Sequence, residues 1–266
     1  MPLHLFERIA VDDAGEGPVV VCVHGLGGSA NTFEPLMPAL ARHRVLRIEL
    51  PGSARSMHAE GPITLARFVD TATGVCDRLG IAAAHWVGHS LGSIVCQHLA
   101  VAAPKRVRSL ALFGPLLAPA DAARGALRAR AVKARSEGAA GMQDITESLL
   151  GAALSADTRQ RLPLALAFVR ESLMRQDGAS YARNCEALAA AQAAAVDNIE
   201  APVLLVTGDE DGVAPPSAVR AMAERFARAR STRVVVLPRC GHWTPVERPE
   251  DCQRELREFL AAQSRT

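Results

Sequence analysis

Gly88-His89-Ser90-Leu91-Gly92 is the stretch from which the rest of the chain can be read. Residues 84–87 before it form a short apolar run of strand length. Residues 91–103 after it carry apolar side chains at helical spacing, as far as Pro104. A sharp strand-to-helix turn of this kind holds its central residue in a strained backbone conformation. It also leaves no room for a side chain two positions to either side. Gly88 and Gly92 meet that demand. The turn lifts the Ser90 hydroxyl above the sheet edge and sets the Leu91 N–H at a helix N-terminus, facing developing negative charge. Five residues of this pattern also arise as an ordinary glycine-bounded turn; the flanking strand and helix set this one apart.

Outward from that turn the same alternation repeats. Residues 18–24 (PVVVCVH), 44–50 (RVLRIEL), 107–113 (VRSLALF), 202–207 (PVLLVT) and 233–237 read as strands. Residues 65–79, 217–229 and 249–262 read as helices between and after them. Strands apolar on both faces, alternating with helices, predict a mainly parallel sheet covered on both sides. Residues 115–200 break the alternation. They hold alanine- and arginine-rich helical stretches punctuated by Gly125, Gly138, Gly141, Gly151, Pro163 and Gly178, with no convincing strand. The economical division is a core built from residues 1–114 and 201–266, with 115–200 inserted as a helical unit over one end of the sheet.

A serine hydroxyl is a weak nucleophile and needs a base. His242, in Cys240-Gly241-His242-Trp243, follows the last strand and precedes the final helix, so it sits in a loop that can reach the sheet edge. A lone loop histidine is more often a surface residue; its position after the last strand singles it out. The base in turn needs a carboxylate. Gly208-Asp209-Glu210-Asp211-Gly212 follows a strand, and the chain order serine, acid, histidine suits this architecture. An acidic turn that caps the next helix is the competing interpretation. The earlier loop His24-Gly25-Leu26-Gly27-Gly28-Ser29 can turn backbone N–H groups inward, with Leu26 the best donor. It lacks both Gly-x-Gly-x-x-Gly and a following Lys-Ser/Thr, so it does not read as a phosphate cradle.

Together, HGLGGS (24–29), LPGSARS (50–56), GHSLG (88–92), GDEDGVAP (208–215) and GHWTPVERP (241–249) resemble the α/β-hydrolase superfamily over about residues 18–260. The resemblance implies an α/β-hydrolase fold, a mainly parallel sheet with helices on both faces and an inserted helical cap. It implies a triad of Ser90, Asp211 and His242, with Asp209 as the rival acid, and an oxyanion hole from the Leu26 and Leu91 N–H groups. Serine at position 90 separates the chain from the aspartate-nucleophile dehalogenases and epoxide hydrolases. The texture is similar to 3-oxoadipate enol-lactonases and related carboxylesterases. LPGSARS departs from their usual Arg-Gly-His-Gly-x-Ser, and Ser93 stands where a third glycine is usual. The implied reaction is cleavage of a small ester or lactone through an acyl-enzyme, with no organic cofactor and no metal. Carbon–carbon hydrolysis, perhydrolysis or acyl transfer on the same triad are the rival reactions, and a binding protein on a hydrolase fold is the rival class. Enol-lactonase likeness further implies a carboxylate on the substrate, for which the cap offers Arg130, Arg135, Arg170, Arg175 and Arg183. Arg175 and Arg183 are favoured, because they flank the segment that returns towards the catalytic end.

Composition bounds the alternatives. Thirty basic and 28 acidic residues leave a formal charge of +2, too little for a nucleic-acid field. No apolar run reaches the roughly 18 residues of a membrane helix, and the N-terminus lacks the pattern of a signal peptide. The six cysteines form no Cys-x-x-Cys pair and several lie in apolar runs, so free thiols and a cytoplasmic setting are expected. The expected partner is a small molecule, with neither nucleic acid nor membrane; oligomeric state leaves no mark on the sequence.

Overall fold

The structure is a computed structural model and describes residues 3–263. Its eight strands are β1 (Leu3–Phe6), β2 (Ile9–Ala14), β3 (Val19–Val23), β4 (Arg44–Ile48), β5 (Ala84–His89), β6 (Val107–Phe113), β7 (Val203–Gly208) and β8 (Thr232–Leu237). They form one sheet in the order β1-β2-β4-β3-β5-β6-β7-β8. From β4 to β8 every neighbouring pair is parallel; β2 joins β4, and β1 joins β2, antiparallel. The helices are α1 (Leu65–Arg78), α2 (Leu91–Ala102), α3 (Asp121–Ala153), α4 (Ala156–Arg161), α5 (Pro163–Met174), α6 (Gly178–Ala190), α7 (Pro216–Arg225), α8 (Thr244–Glu247) and α9 (Pro249–Gln263).

Period-two alternation in the strands divides the core. In β3, Val20 and Cys22 pack with Phe33, Leu36 and the α9 residues Leu256 and Phe259. Val21 and Val23 face the opposite way, towards Phe68 of α1 and Ile94 of α2. A third cluster, including Met142, Val169, Leu173 and Tyr181, forms inside the helices between β6 and β7 and reaches Trp243 and Val246. Those four helices, α3 to α6, make up the strand-free insertion. Of its glycines Gly138 breaks helical geometry, at φ 57°, and kinks α3 there. All six cysteines are free and buried.

Two features go beyond the sequence reading. The β1–β2 hairpin turns through Glu7 and Arg8, both at positive φ (47° and 71°). Such a turn normally carries Asn or Gly, so the pattern gave no hairpin signal. Residues Ala30–Leu40 form a 3₁₀ segment interrupted by Pro35 and Pro38. Helix α7 ends at Arg225, short of the expected 229, because buried Phe226 takes a non-helical conformation at its C-cap.

The parallel strands all end on one edge, and the loops leaving β3, β5, β7 and β8 carry the chemistry-bearing residues there. Helix α2 approaches β3 so closely that a Cβ on Gly92 would lie 1.9 Å from the Val23 carbonyl oxygen, and one on Gly88 2.7 Å from Gly92 O. Gly92→Ala is therefore expected to destabilise the chain by about 3 kcal/mol, the upper end of over-packing, measured by urea denaturation. Gly125→Ala, in α3 with open space around it, is expected to stabilise by about 0.5–1 kcal/mol.

Candidate active site

Ser90 stands at the β5–α2 junction with φ 51° and ψ −118°, a strain of about 1–3 kcal/mol that its surroundings hold in place. Its N–H donates to Phe113 O of β6 at 3.0 Å. Ser93, one turn into α2, donates its hydroxyl to Ser90 O at 2.6 Å and accepts from Leu116 N at 3.1 Å. The serine that replaces the usual glycine thus ties the elbow to the chain leaving β6.

The loops after β7 and β8 meet Ser90 from one side. His242 Nε2 lies 2.9 Å from Ser90 Oγ, and His242 Nδ1 lies 2.8 Å from Asp211 Oδ2. The carboxylate can only accept, so the network assigns the imidazole proton to Nδ1 and leaves the Nε2 lone pair for the serine proton. Asp211 Oδ1 accepts from Val213 N and Ala214 N, both at 2.8 Å, which fixes the carboxylate from behind. Asp209 points elsewhere: its Oδ1 accepts from Cys240 N at 3.0 Å and braces the β8 loop. The three side chains brought together are therefore Ser90, Asp211 and His242.

Burial would depress the His242 pKa, but the Asp211 charge and hydrogen bond outweigh it and hold His242 above its ordinary value. For Asp211, burial pushes upward, and His242 together with the Val213 and Ala214 N–H groups brings the carboxyl below its usual range. Adjacent His89 behaves oppositely. Burial and the nearby His242 push it down to about 3, so it stays neutral. Its Nε2–H donates to His242 O at 2.9 Å, while Gly114, at φ 53°, leaves space for the imidazole: a Cβ there would lie 2.9 Å from His242 Cε1.

On the other side of Ser90, the loop after β3 is held by its own histidine and by the insertion. His24 Nδ1–H donates to Gly25 O (2.8 Å), and its Nε2 accepts from Leu50 N (3.0 Å). Ser172 Oγ donates to Gly27 O at 2.8 Å, and the Gln176 amide donates to Gly27 O and Gly28 O, both at 3.3 Å. Leu26 is thereby placed beside Ser90 on a shared cavity wall. Leu91 is the first residue of α2, where backbone N–H groups have no intrahelical acceptor.

The cavity above Ser90 has a volume of about 270 Å³ and a wall that is mostly apolar, including Leu116, Leu127, Leu149, Leu173 and Trp243. Among the described residues, Arg130 of α3 is its only Arg, Lys, Asp or Glu side chain. Arg175 and Arg183, the cap arginines favoured from the sequence, do not lie on this wall. Arg175 is exposed and pairs with Glu171 one turn back on α5. Arg183 reaches the Ala59 and Gly61 carbonyls at 3.3 Å. Arg135 and Arg170 are bound to Glu186 and Glu147 at the surface. Arg130 makes no ion pair with a carboxylate among the described residues. Beside it on the same wall is the buried Tyr181 hydroxyl, whose neighbours are the Arg130 guanidinium and the Cys185 thiol. Burial pushes that phenol up, and the neighbouring Arg130 charge draws it partly back.

A family model described as alpha/beta hydrolase fold matches residues 18–249. The chain belongs to the α/β-hydrolase family. It is 33% identical over 92% of its length to the dihydrolipoyllysine-residue acetyltransferase component of the acetoin cleaving system of Pseudomonas putida, and spans 64% of that protein. It is 30% identical to the 2-hydroxymuconate semialdehyde hydrolase of Pseudomonas sp. strain CF600, covering 96% of this chain and 90% of that one. Among solved structures, the enol-lactonase from Burkholderia xenovorans LB400 superposes with a TM-score of 0.86 at 28% identity, over 98% of this chain and all of that one.

The sequence does not single out His89 or Gln176, and it offers Arg130 only as one of five cap arginines. His89 lies inside the motif with no role of its own in the pattern, and the places of Gln176 and Arg130 depend on how the insertion docks. Among the described residues no group of three or more His, Cys, Asp or Glu side chains is arranged to hold a metal ion, and no helix is long and apolar enough to cross a membrane. The electrostatics give one direct expectation. An NMR titration of the His242 ring should place its pKa above 6.5 in the intact protein and lower in Asp211→Asn, where burial acts without the Asp211 charge. An unchanged value in the variant would contradict the pairing.

Proposed function

We propose that the chain is a serine hydrolase that cleaves a carboxylic ester or lactone through an acyl-enzyme. The observation that carries this reading is the continuous hydrogen-bonded chain Asp211–His242–Ser90 at the base of a cavity. His242 Nε2 takes the Ser90 proton as Oγ attacks the carbonyl carbon, and Asp211 stabilises the imidazolium that forms. The Leu26 and Leu91 N–H groups stabilise the oxyanion. The imidazolium then protonates the leaving alkoxide, and a water deprotonated by His242 releases the acid and restores Ser90. Likeness to an enol-lactonase supports the ester or lactone class. The likeness to a semialdehyde hydrolase makes carbon–carbon cleavage on the same triad the second reading.

The substrate of this reading carries a carboxylate. A half-buried guanidinium that makes no ion pair with a carboxylate among the described residues, beside a buried phenol in a mostly apolar cavity, is completed by an anion that accepts from both. Arg130 and Tyr181 take the place first assigned to Arg175 and Arg183.

Two substitutions test the reading with p-nitrophenyl esters and lactones. Ser90→Ala is expected to lower kcat by about four to six orders of magnitude; undiminished turnover by the folded variant would end it. Arg130→Met is expected to raise KM for a carboxylate-bearing lactone roughly 10- to 100-fold while changing KM for a neutral ester of similar size little. Equal effects on both would remove the anion from the account.

A further inference from the structure

We propose that Glu247 is a positioning residue for this chemistry, locking the His242 loop onto the helical insertion so that the base is in place only when the insertion is docked. The inference rests on His242 being the base of the proposed hydrolase.

Glu247 ends the short helix α8, five residues past His242, and is 1% exposed. Its carboxylate accepts four hydrogen bonds. Two come from the residues flanking His242: Gly241 N to Oε2 at 3.0 Å and Trp243 N to Oε1 at 3.0 Å. The other two come from the insertion: Ser155 N at 2.9 Å and Thr158 Oγ1 at 2.8 Å, both to Oε2. Three backbone N–H groups and one hydroxyl thus converge on this one side chain. The histidine between those flanking residues is bonded to the same segment, with His242 N donating to Ala153 O at 2.7 Å. Three successive backbone N–H groups, at 241, 242 and 243, are thus fixed by Glu247 and the α3–α4 junction. A second carboxylate repeats the link from the acid loop: Glu210 Oε2 accepts from Ala156 N at 2.8 Å. The packing is close enough that a Cβ on Gly241 would lie 2.6 Å from Ala153 O and 2.7 Å from Ser155 N.

The same carboxylate acts on the base through space. The titratable and charged groups around His242 are Asp211 from the loop after β7, His89 from the end of β5, Cys240 on its own loop and Glu247. Beyond Glu247 lie Cys252 of α9 and Arg248, whose guanidinium pairs with Asp157 of α4 at 2.7 Å. His89 is neutral, and burial pushes both thiols up, so Asp211 and Glu247 are the anions that favour the imidazolium.

The test is the pH profile of kcat/KM with a p-nitrophenyl ester, measured on the full chain. Glu247→Gln keeps the shape and, with its amide oxygen at the Oε2 position, three of the four bonds. It loses the charge and opposes the Trp243 N–H with an N–H. We expect kcat to fall about 10- to 100-fold with KM nearly constant, and the acid limb to move to lower pH, because an imidazolium with one anion fewer is easier to deprotonate. Thr158→Val, in the insertion, removes a donor that partly neutralises the carboxylate. It is expected to lower kcat less and move the limb the opposite way, to higher pH, so the pair of variants gives a sign reversal if both fold and the second suffices if the first does not. A limb that stays where it is in the folded variant, with or without loss of rate, overturns the proposal, since a merely structural glutamate would lower activity without moving the limb. A wild-type profile with no acid limb would instead remove His242 as base, and with it the hydrolase reading itself.

Discussion

The site depends on one backbone constraint, the left-handed conformation of Ser90 between β5 and α2. An L residue does not hold φ 51° and ψ −118° unaided. It is held because Gly92 lets α2 press against the end of β3, because Ser90 N–H is bonded to β6, and because Ser93 anchors the following chain. The result is a hydroxyl above the sheet edge, next to the first N–H groups of a helix and within reach of loops from β3, β7 and β8. The other parts of the site are arranged around that fixed point.

The insertion roofs the cavity and also braces the site. Through Ser172 and Gln176 it fixes the carbonyls of Gly27 and Gly28, and with them the orientation of the Leu26 peptide. Through Ala153, Ser155 and Thr158 it fixes the backbone on both sides of His242. Ser90 is positioned by the sheet, while the Leu26 loop and the His242 loop each lean on the helices above. That division explains why polar residues of the insertion are buried where an apolar lid would have sufficed to exclude water.

Much of this was legible from the sequence, for identifiable reasons. GHSLG could be read because steric exclusion at Gly88 and Gly92 is a local requirement that only glycine meets. The parallel sheet could be read because strands buried on both faces are apolar without alternation. Asp211 could be separated from Asp209 only by likeness to a family; in the structure Asp209 is turned towards Cys240 N, a contact 31 residues away that no local pattern encodes. The choice of Arg175 and Arg183 among the cap arginines is displaced for the same kind of reason. Arg175 lies near the chain's return but finds Glu171 on its own helix, Arg183 finds loop carbonyls after β4, and Arg130, on α3, lines the wall. Which face of α3 looks inward is set by its docking against α6, not by its own periodicity. The hairpin at Glu7 and Arg8 and the proline-broken segment Ala30–Leu40 were hidden because their residues defy the usual turn and helix signals.

The account stands on Ser90 being an activated nucleophile at the floor of the cavity. Incubation with a fluorophosphonate, followed by proteolysis and mass-spectrometric mapping, tests this without knowledge of the substrate. The expected result is a single adduct per chain, on the peptide containing Ser90, forming more slowly as the pH falls and His242 is protonated. An adduct on another residue, or no adduct on a chain shown to be folded, would contradict it.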